Sequence, residues 1–124
     1  MLRNKLSKFN IILASGSPRR QRFLKDLDIP FTIEIKEVEE VYPKHLKAEE
    51  ITDYLADLKS KCFTNLKSND LLITSDTIVW FEETALGKPK NKKDAFLMLK
   101  KMSGKQHYVY TSISIKSCFF QKIF

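Results

Sequence analysis

The α/β character of the chain is clearest in the segment NIILASGSPRR, residues 10–20. Residues 10–14 form a short apolar run that is typical of a buried strand. Ser17 and Pro18 have the residue types of an N-cap and a first helical position, so the strand should turn directly into a helix. A helix start has unpaired N–H groups and a dipole that favours anions. The segment is therefore a candidate phosphate site, and an ordinary capped helix with exposed arginines explains it equally well.

Strand-like and helix-like patterns alternate along the rest of the chain. The expected elements are a helix after Ser17 with an apolar stripe of Phe23, Leu24 and Leu27, a strand over residues 31–36, a helix over residues 48–66, a strand over residues 71–81 that is interrupted at Asp76 and Thr77, a helix over residues 92–102 and a strand over residues 108–115. This order predicts an α/β or mixed α+β fold.

Length and composition restrict the class of protein. The 124 residues, 43% of them hydrophobic, suit one domain with a real core. No apolar run approaches the roughly 20 residues of a membrane-spanning helix, and the run after the basic N-terminus is too short for a signal peptide. Cys62 and Cys118 are distant from each other and form no metal-binding pattern, which argues against a disulfide scaffold or a zinc site. We therefore expect a cytoplasmic protein.

The charge is basic and unevenly distributed. The formal net charge is +7, from 22 Lys and Arg against 15 Asp and Glu. A basic balance favours polyanionic partners, although a lysine-rich soluble surface is the more ordinary explanation. A nucleic-acid binder acting through residues 88–122 is one hypothesis, but aromatic residues do not interleave with the lysines as in RNA-binding segments. Nucleic acid is therefore disfavoured as a partner.

An acidic residue lies inside the apolar central strand, in the triplet Ser75-Asp76-Thr77. A buried carboxylate is costly unless it is paired, so such an Asp usually caps, pairs or binds a metal. Asp76 is accordingly a candidate Mg²⁺ ligand or general base. A strand break with Asp in a turn is the alternative, and position alone does not separate the two.

Three weaker signals complete the set. Gly87 and Pro89 flank Lys88 in a way that could aim its ammonium at a phosphate, although a surface turn is the better interpretation of the tetrapeptide alone. Glu40, in an acidic pair, could hold Mg²⁺ or simply be solvated. Lys59 lies at the edge of the apolar face of the long helix, where lysines usually extend to solvent. Together the signals favour metal-assisted attack of water on a phosphate ester or anhydride over acyl transfer.

Four blocks in this order resemble the Maf family of nucleoside triphosphate pyrophosphatases. They are ILASGSPRR at residues 12–20, SDTIV at residues 75–79, LGKP at residues 86–89, and MSG at residues 102–104 with His107. The resemblance covers residues 10 to about 113. It implies an inosine-triphosphatase-like mixed sheet with flanking helices and two lobes around a cleft. It also implies hydrolysis of a nucleoside triphosphate to monophosphate and pyrophosphate with Mg²⁺ or Mn²⁺.

The resemblance also assigns roles to individual residues. Asp76 matches the proposed proton acceptor, and Arg19 and Thr77 match positions associated with base selection. Positions on the phosphate side are matched by Ser15, Gly16, Ser17, Arg20 and Lys88, with Lys59 as a further substrate-side lysine. Glu40 matches an acidic position, which makes Glu40 and Asp76 the expected metal ligands. Gln21, in the form SPRRQ, resembles the branch that prefers dTTP and UTP.

The end of the chain departs from the family. We expect residues 1–124 to be a single Maf-like domain holding the N-terminal two-thirds of the family fold, with an atypical tail at residues 117–124 and an incomplete second lobe. The family's later blocks, one of which contains a glycine-flanked glutamine near the base pocket, have no counterpart. The alternative to an enzyme is therefore a catalytically impaired nucleotide-binding fragment or a division-related interaction protein. Exposed apolar surface on the unfinished lobe would favour a homodimer.

Overall fold

The structure is a computed structural model that describes residues 2–87 and 89–124. Its helices and strands, in chain order, are α1 (Leu2–Lys5), β1 (Asn10–Leu13), α2 (Pro18–Asp26), β2 (Thr32–Ile33), α3 (Glu49–Lys61), β3 (Asp70–Phe81), β4 (Thr84–Leu86), α4 (Lys92–Met102), β5 (Tyr108–Lys116) and β6 (Gln121–Ile123). No helix among the described residues is long and apolar enough to cross a bilayer.

The strands form one mixed sheet. Its order is β2-β1-β3-β5-β6, and β4 pairs with β3 outside this path. Strands β2, β1 and β3 are parallel, whereas β4 and β5 run antiparallel to β3, and β6 runs antiparallel to β5. The predicted mixed α/β fold is therefore confirmed.

Strand β3 is continuous, so the interruption predicted at Asp76 and Thr77 is wrong. On one edge β5 pairs with it from Leu72 to Trp80, and this long ladder holds the strand extended through the acidic residue. On the other edge β1 pairs with residues 70–73 and β4 with residues 79–81. Among the described residues, the stretch 74–78 therefore has no strand beside it on that edge.

Successive apolar residues of a strand pack on opposite faces of the sheet, as the two-residue period of a strand requires. On one face, Ile11 and Leu13 pack with Leu24 of α2. On the other face, Ile12 packs with Phe63, which follows α3. A third cluster joins α3 to the far half of β3 and contains Ile51, Leu55 and Trp80. Helices α2 and α3 thus lie on opposite faces and approach β3 from both sides.

Helix α3 covers a part of the sheet that is rich in hydroxyl groups. Thr74 donates to the Ala56 carbonyl at 2.7 Å, and the hydroxyls of Thr52 and Ser112 lie 2.7 Å apart. Ser112 also donates to the Asp53 carboxylate. Buried polar groups need such partners, and small hydroxyl residues satisfy them while letting the helix lie close to the sheet.

Two elements are shorter or less buried than their patterns predicted. The strand expected over residues 31–36 is reduced to Thr32–Ile33, because β2 is the outermost strand and pairs on one side only; Ile35 is 58% exposed. The apolar stripe of α2 is reduced to Leu24, and Phe23 is 65% exposed. Helix α3 ends at Lys61 rather than near residue 66, with Cys62 as its C-cap.

The C-terminal elements are predicted well in position and less well in burial. Helix α4 spans Lys92–Met102 as expected and is capped by Asn91, whose side chain accepts from the Asp94 N–H at 2.8 Å. However, none of its residues is buried. Residues 117–124 fold back onto β5, with Gln121–Ile123 as β6, and the Gln121 amide nitrogen lies 2.9 Å from Ser60, Ser114 and Asp57 oxygens. The single-domain assignment stays a prediction.

Candidate active site

The turn between β1 and α2 is held by its own side chains. The Ser15 hydroxyl accepts the Ser17 N–H at 3.1 Å, and the Ser17 hydroxyl accepts the Arg20 N–H at 3.5 Å as the N-cap of α2. Pro18 is the first helical residue, so the predicted N-cap and helix start are confirmed. The Gln21 side chain donates to the Ser15 carbonyl at 3.2 Å. These bonds set the N-terminus of α2 in place, with the positive end of its dipole at the turn.

A cavity of about 560 Å³ opens beside this turn. It lies where β1 ends, and ligands of open α/β sheets bind outside the carboxyl ends of parallel strands. Its lining consists of Ala14, Ser15, Gly16, Ser17, Arg20, Ile35, Lys36, Glu37, Val38, Glu40, Lys59 and Phe63. A Cβ atom on Gly16 would lie 3.3 Å from the Ile35 side chain, so the glycine allows the close approach of the two walls.

Arg20 connects the turn to the open edge of β3. Its guanidinium donates to the Ser75 carbonyl at 3.3 Å and to the Thr77 hydroxyl at 3.1 Å, and it also lies 3.5 Å from the Ser15 hydroxyl. The Ser75 carbonyl can be reached because no strand covers residues 74–78 on this edge in the described part of the chain. The planar fork of arginine suits three acceptors at fixed positions.

Lys59 of α3 reaches the same carbonyl from the other face of the sheet. Its ammonium lies 3.1 Å from the Ser75 carbonyl oxygen, 3.0 Å from Asp76 Oδ1 and 2.9 Å from Glu40 Oε1. The Glu40 side chain is 53% exposed and that of Lys59 only 19%. The sequence predicted a lysine that extends to solvent, but this lysine ends among oxygen atoms at the cavity wall.

Asp76 is the most unusual group of the site. Its side chain is 8% exposed, and Oδ2 is buried without a hydrogen-bond partner among the described residues. Burial raises the pKa of this carboxyl above its ordinary value, more than the hydrogen bond and charge of Lys59 lower it; Glu40 adds to the rise and Arg20 opposes it. A buried carboxylate oxygen without a donor suits a proton or a cation, and shifted groups of this kind concentrate at functional sites.

Glu40 and Asp76 meet at one point, the Lys59 ammonium, although they come from distant parts of the chain. Both offer the hard oxygen atoms that Mg²⁺ and Mn²⁺ prefer. Within the described residues, no group of three or more His, Cys, Asp or Glu side chains could hold a metal alone. The donor set therefore fits a cation that takes its remaining oxygen ligands from elsewhere, as Mg²⁺ does from phosphates.

Most of the residues singled out in the sequence come together. Those that line the cavity are Ser15, Gly16, Ser17, Arg20, Glu40 and Lys59. Asp76 and Thr77 adjoin it through Lys59 and Arg20. Arg19 is exposed on the outside of α2 and is not part of the lining, and Lys88 lies outside the described residues. The roles of all these residues stay predictions.

Two components of the site carry no signal in the sequence. The Ser75 carbonyl is a backbone atom, and its availability depends on where β1 ends and β4 begins. Thr111 of β5 lies beside Thr77, with 2.9 Å between the hydroxyl oxygens, because the β3–β5 register places the two residues opposite each other. Register is a tertiary property, so no local pattern marks Thr111.

The chain is thus a mixed α/β protein whose cavity combines a helix N-terminus with clustered cations and carboxylates. Its fold is similar to that of the Staphylococcus aureus Ham1 protein, with a TM-score of 0.58 and 16% identity over 93% of this chain and 67% of that one. The match to the Maf-like protein family spans residues 10–122, and the chain belongs to that family.

Similar proteins from other organisms carry a common description. The chain is 59% identical to a dTTP/UTP pyrophosphatase of Flavobacterium johnsoniae over 94% of its length, and 55% identical to one of Flavobacterium psychrophilum over 94%. It is 54% identical to one of Christiangramia forsetii over 99%. The chain spans 61%, 60% and 63% of the lengths of these three relatives.

Proposed function

We propose that this chain carries the phosphate-binding and water-activating part of a nucleoside triphosphate pyrophosphatase that acts on dTTP and UTP. The observation that carries the proposal is the meeting of two cations at the Ser75 carbonyl. Arg20 reaches it from the helix N-terminus and Lys59 from beside Asp76, at 3.3 Å and 3.1 Å. The anion-binding turn and the buried carboxylate therefore belong to one site. The shared description of the three relatives supports this substrate class.

In this proposal the triphosphate lies in the cavity beside the turn. Gly16 allows close approach, and Ser17 and the N-terminus of α2 face the phosphates. Arg20 and Lys59 supply positive charge where negative charge develops during cleavage, which is electrostatic stabilisation of the transition state. Lys88 is proposed to add a further ammonium at the phosphates. Arg19 and Thr77 are proposed to take part in selecting the nucleotide base.

We assign Glu40 and Asp76 as the protein ligands of a divalent cation, Mg²⁺ or Mn²⁺. The unpartnered Asp76 Oδ2 and the convergence of the two carboxylates support this assignment. When bound, such a cation supplies charge neutralisation and Lewis-acid polarisation at the phosphates. The remaining coordination positions are left to phosphate oxygens and water.

Asp76 is proposed to act on the attacking water. Its carboxylate would accept a hydrogen bond from that water and take its proton as the water oxygen attacks the α-phosphorus and the bond from the α-phosphorus to the α,β-bridging oxygen breaks. The raised pKa of the carboxyl strengthens it as a base compared with an ordinary aspartate, although the hydrogen bond and charge of Lys59 oppose the rise. The products would be the nucleoside monophosphate and pyrophosphate.

The test is pyrophosphate release from dTTP, UTP, dATP and dCTP by this chain in the presence of Mg²⁺. We expect release from dTTP and UTP, and a fall of about 100-fold or more in kcat for Asp76→Asn. Asp26→Asn, at the exposed end of α2, is the matched control and should retain the rate. Turnover by Asp76→Asn at the unmutated rate would contradict the proposed role.

Calorimetry distinguishes the proposed enzyme from a nucleotide-binding protein without turnover. Titration with a non-hydrolysable dTTP analogue should show binding both for the unmutated chain and for Asp76→Asn. Binding combined with no pyrophosphate release from the unmutated chain would favour that alternative.

We further propose a cytoplasmic location and a homodimer. The two cysteines are free, as is usual in a reducing compartment. Phe96, Leu97 and Leu99 of α4 are exposed and offer apolar surface for a second copy. Light scattering after size-exclusion chromatography gives the mass in solution, and a monomer at all concentrations would reject the homodimer.

A further inference from the structure

We propose that the Lys59 ammonium is an internal cation that occupies the oxygen cage between Glu40 and Asp76 and must leave before a divalent cation binds there. The cage consists of Glu40 Oε1, Asp76 Oδ1 and the Ser75 carbonyl oxygen. The inference rests on the proposed function only for the identity of the two carboxylate ligands. It assigns Lys59 a role that changes with the state of the site.

Lys59 is held in the cage by two hydrogen bonds, to the Ser75 carbonyl and Asp76 Oδ1, and by an ion pair with Glu40. An ammonium has three N–H donors, and the three oxygens of the cage lie 2.9, 3.0 and 3.1 Å from Nζ. The ammonium is surrounded by these three oxygens, so its charge is directed at the cage and not at the cavity. Lys59 can therefore bind substrate only after it releases the cage.

The cage has the chemistry of a divalent-cation site. Two carboxylates and a carbonyl are the hard oxygen ligands that Mg²⁺ and Mn²⁺ take. Asp76 Oδ2 is buried and makes no hydrogen bond among the described residues, so an incoming cation would gain an oxygen that the ammonium does not contact. Two cations a few ångströms apart in a half-buried site repel each other strongly. Occupation by Lys59 and by a metal is therefore mutually exclusive.

The displaced ammonium has a nearby destination. Lys59 lines the same cavity as Ser15, Ser17 and Arg20. Its backbone is held in the last turn of α3, so rotation of the side chain alone can carry Nζ from the cage toward the cavity. A divalent cation that enters with a triphosphate would thus free Lys59 at the moment when phosphate oxygens need it.

The experiment measures Mn²⁺ binding without nucleotide, from the electron paramagnetic resonance signal of free Mn²⁺. Lys59→Met removes the competing ammonium, and we expect it to bind Mn²⁺ more tightly than the unmutated chain by about tenfold or more. Lys61→Met is the matched control on the same helix. It breaks the pair between the exposed Lys61 and the half-buried Asp57, 3.0 Å apart, and should leave the affinity unchanged.

A second variant locates the ion. The double variant Glu40→Gln, Lys59→Met should not show the increased Mn²⁺ affinity of Lys59→Met, because one cage carboxylate is then absent. If Lys59→Met does not fold, Lys59→Gln carries the same expectation, since its amide is uncharged. An affinity equal to or weaker than that of the unmutated chain would overturn the inference, as would a gain that persists in the double variant.

Failure of the inference and failure of the proposed function give different results. A gain in Mn²⁺ affinity without pyrophosphate release by the unmutated chain would support the internal cation and reject the proposed activity. Pyrophosphate release without the gain would support the activity and reject the internal cation.

Discussion

The Arg20 guanidinium donates to the carbonyl oxygen of Ser75 at 3.3 Å, across the boundary between α2 and β3. This contact exists because the edge of β3 is divided between two partners. Strand β1 ends at Leu13 and β4 begins farther along, so a side chain takes the place of a neighbouring strand. A backbone carbonyl in a sheet needs a hydrogen-bond donor. At Ser75 the donors are the side chains of Arg20 and Lys59.

The fork of Arg20 should be essential even where its charge is kept. Arg20→Lys retains a cation but loses the planar fork, in which one guanidinium nitrogen donates to the Ser75 carbonyl and the other to the Thr77 hydroxyl. We expect kcat/KM for dTTP to fall about 100-fold. The free energy of unfolding should fall by about 1 kcal/mol, as for the loss of one hydrogen bond.

The matched control for Arg20→Lys is Arg22→Lys, two residues along the same helix and exposed. Steady-state kinetics and urea unfolding of both variants give the comparison. Equal activity of the two variants would show that charge alone suffices at residue 20.

The raised pKa of Asp76 predicts a specific dependence of stability on pH. In the folded chain this carboxyl holds its proton to a higher pH than its ordinary value of 3.8, because burial disfavours the anion. Its contribution to stability is therefore fully present below that value and is lost as the pH rises through the folded-state pKa. Asp76→Asn cannot ionise and should become more stable relative to the unmutated chain across this window.

Urea unfolding at a series of pH values from 3 upward measures this difference for Asp76. A stability difference that is constant with pH would show that the carboxyl has an ordinary pKa in the folded chain. Measurement without divalent cations keeps metal binding out of the comparison.

Asp70, at the start of β3, predicts the opposite dependence of stability on pH. Its carboxylate accepts from the Asn10 side chain at 2.9 Å and from the Lys67 N–H at 2.9 Å, and these bonds lower its pKa. The stability they contribute is present above the ordinary value of 3.8 and is lost as the pH falls through the lowered pKa. Asn10→Ala should therefore cost about 1 kcal/mol at pH 7 and less in acid.

Asn69→Ala is the control for this change, because Asn69 is an exposed neighbour of the same type. Chemical unfolding at pH 7 and at pH 3 is sufficient for both variants. If the cost of Asn10→Ala is as large at pH 3 as at pH 7, the hydrogen bond does not act through the ionised carboxylate.

Local sequence patterns predicted the elements whose signals are short-range. Ser17 and Pro18 mark the start of α2 by their own chemistry, and the bounds of α4 follow from a cap and a helical period. The same patterns failed where burial depends on neighbours. Ile35 alternates like a strand residue, but it lies beyond the two paired residues of the outermost strand and stays exposed.

The candidate site shows the same difference between local signals and features that depend on the fold. Ser15, Arg20 and Asp76 could be singled out by residue type and position, because a capped helix start and an acid in an apolar strand are local signals. That these three residues lie at one site could not be predicted from local patterns, since it depends on which strands flank β3 and on where each of them ends.

Residue patterns and motifs were sufficient to predict the mixed α/β character, the helix N-terminus beside the first strand and the resemblance to the Maf family. Contacts between distant parts of the chain place Asp76 within a continuous strand and pair it with Lys59 rather than with solvent. This difference arises because helix caps and periodicity are set by neighbouring residues along the chain. Strand pairing, burial and the pKa of a carboxyl are set by residues that the fold brings from elsewhere.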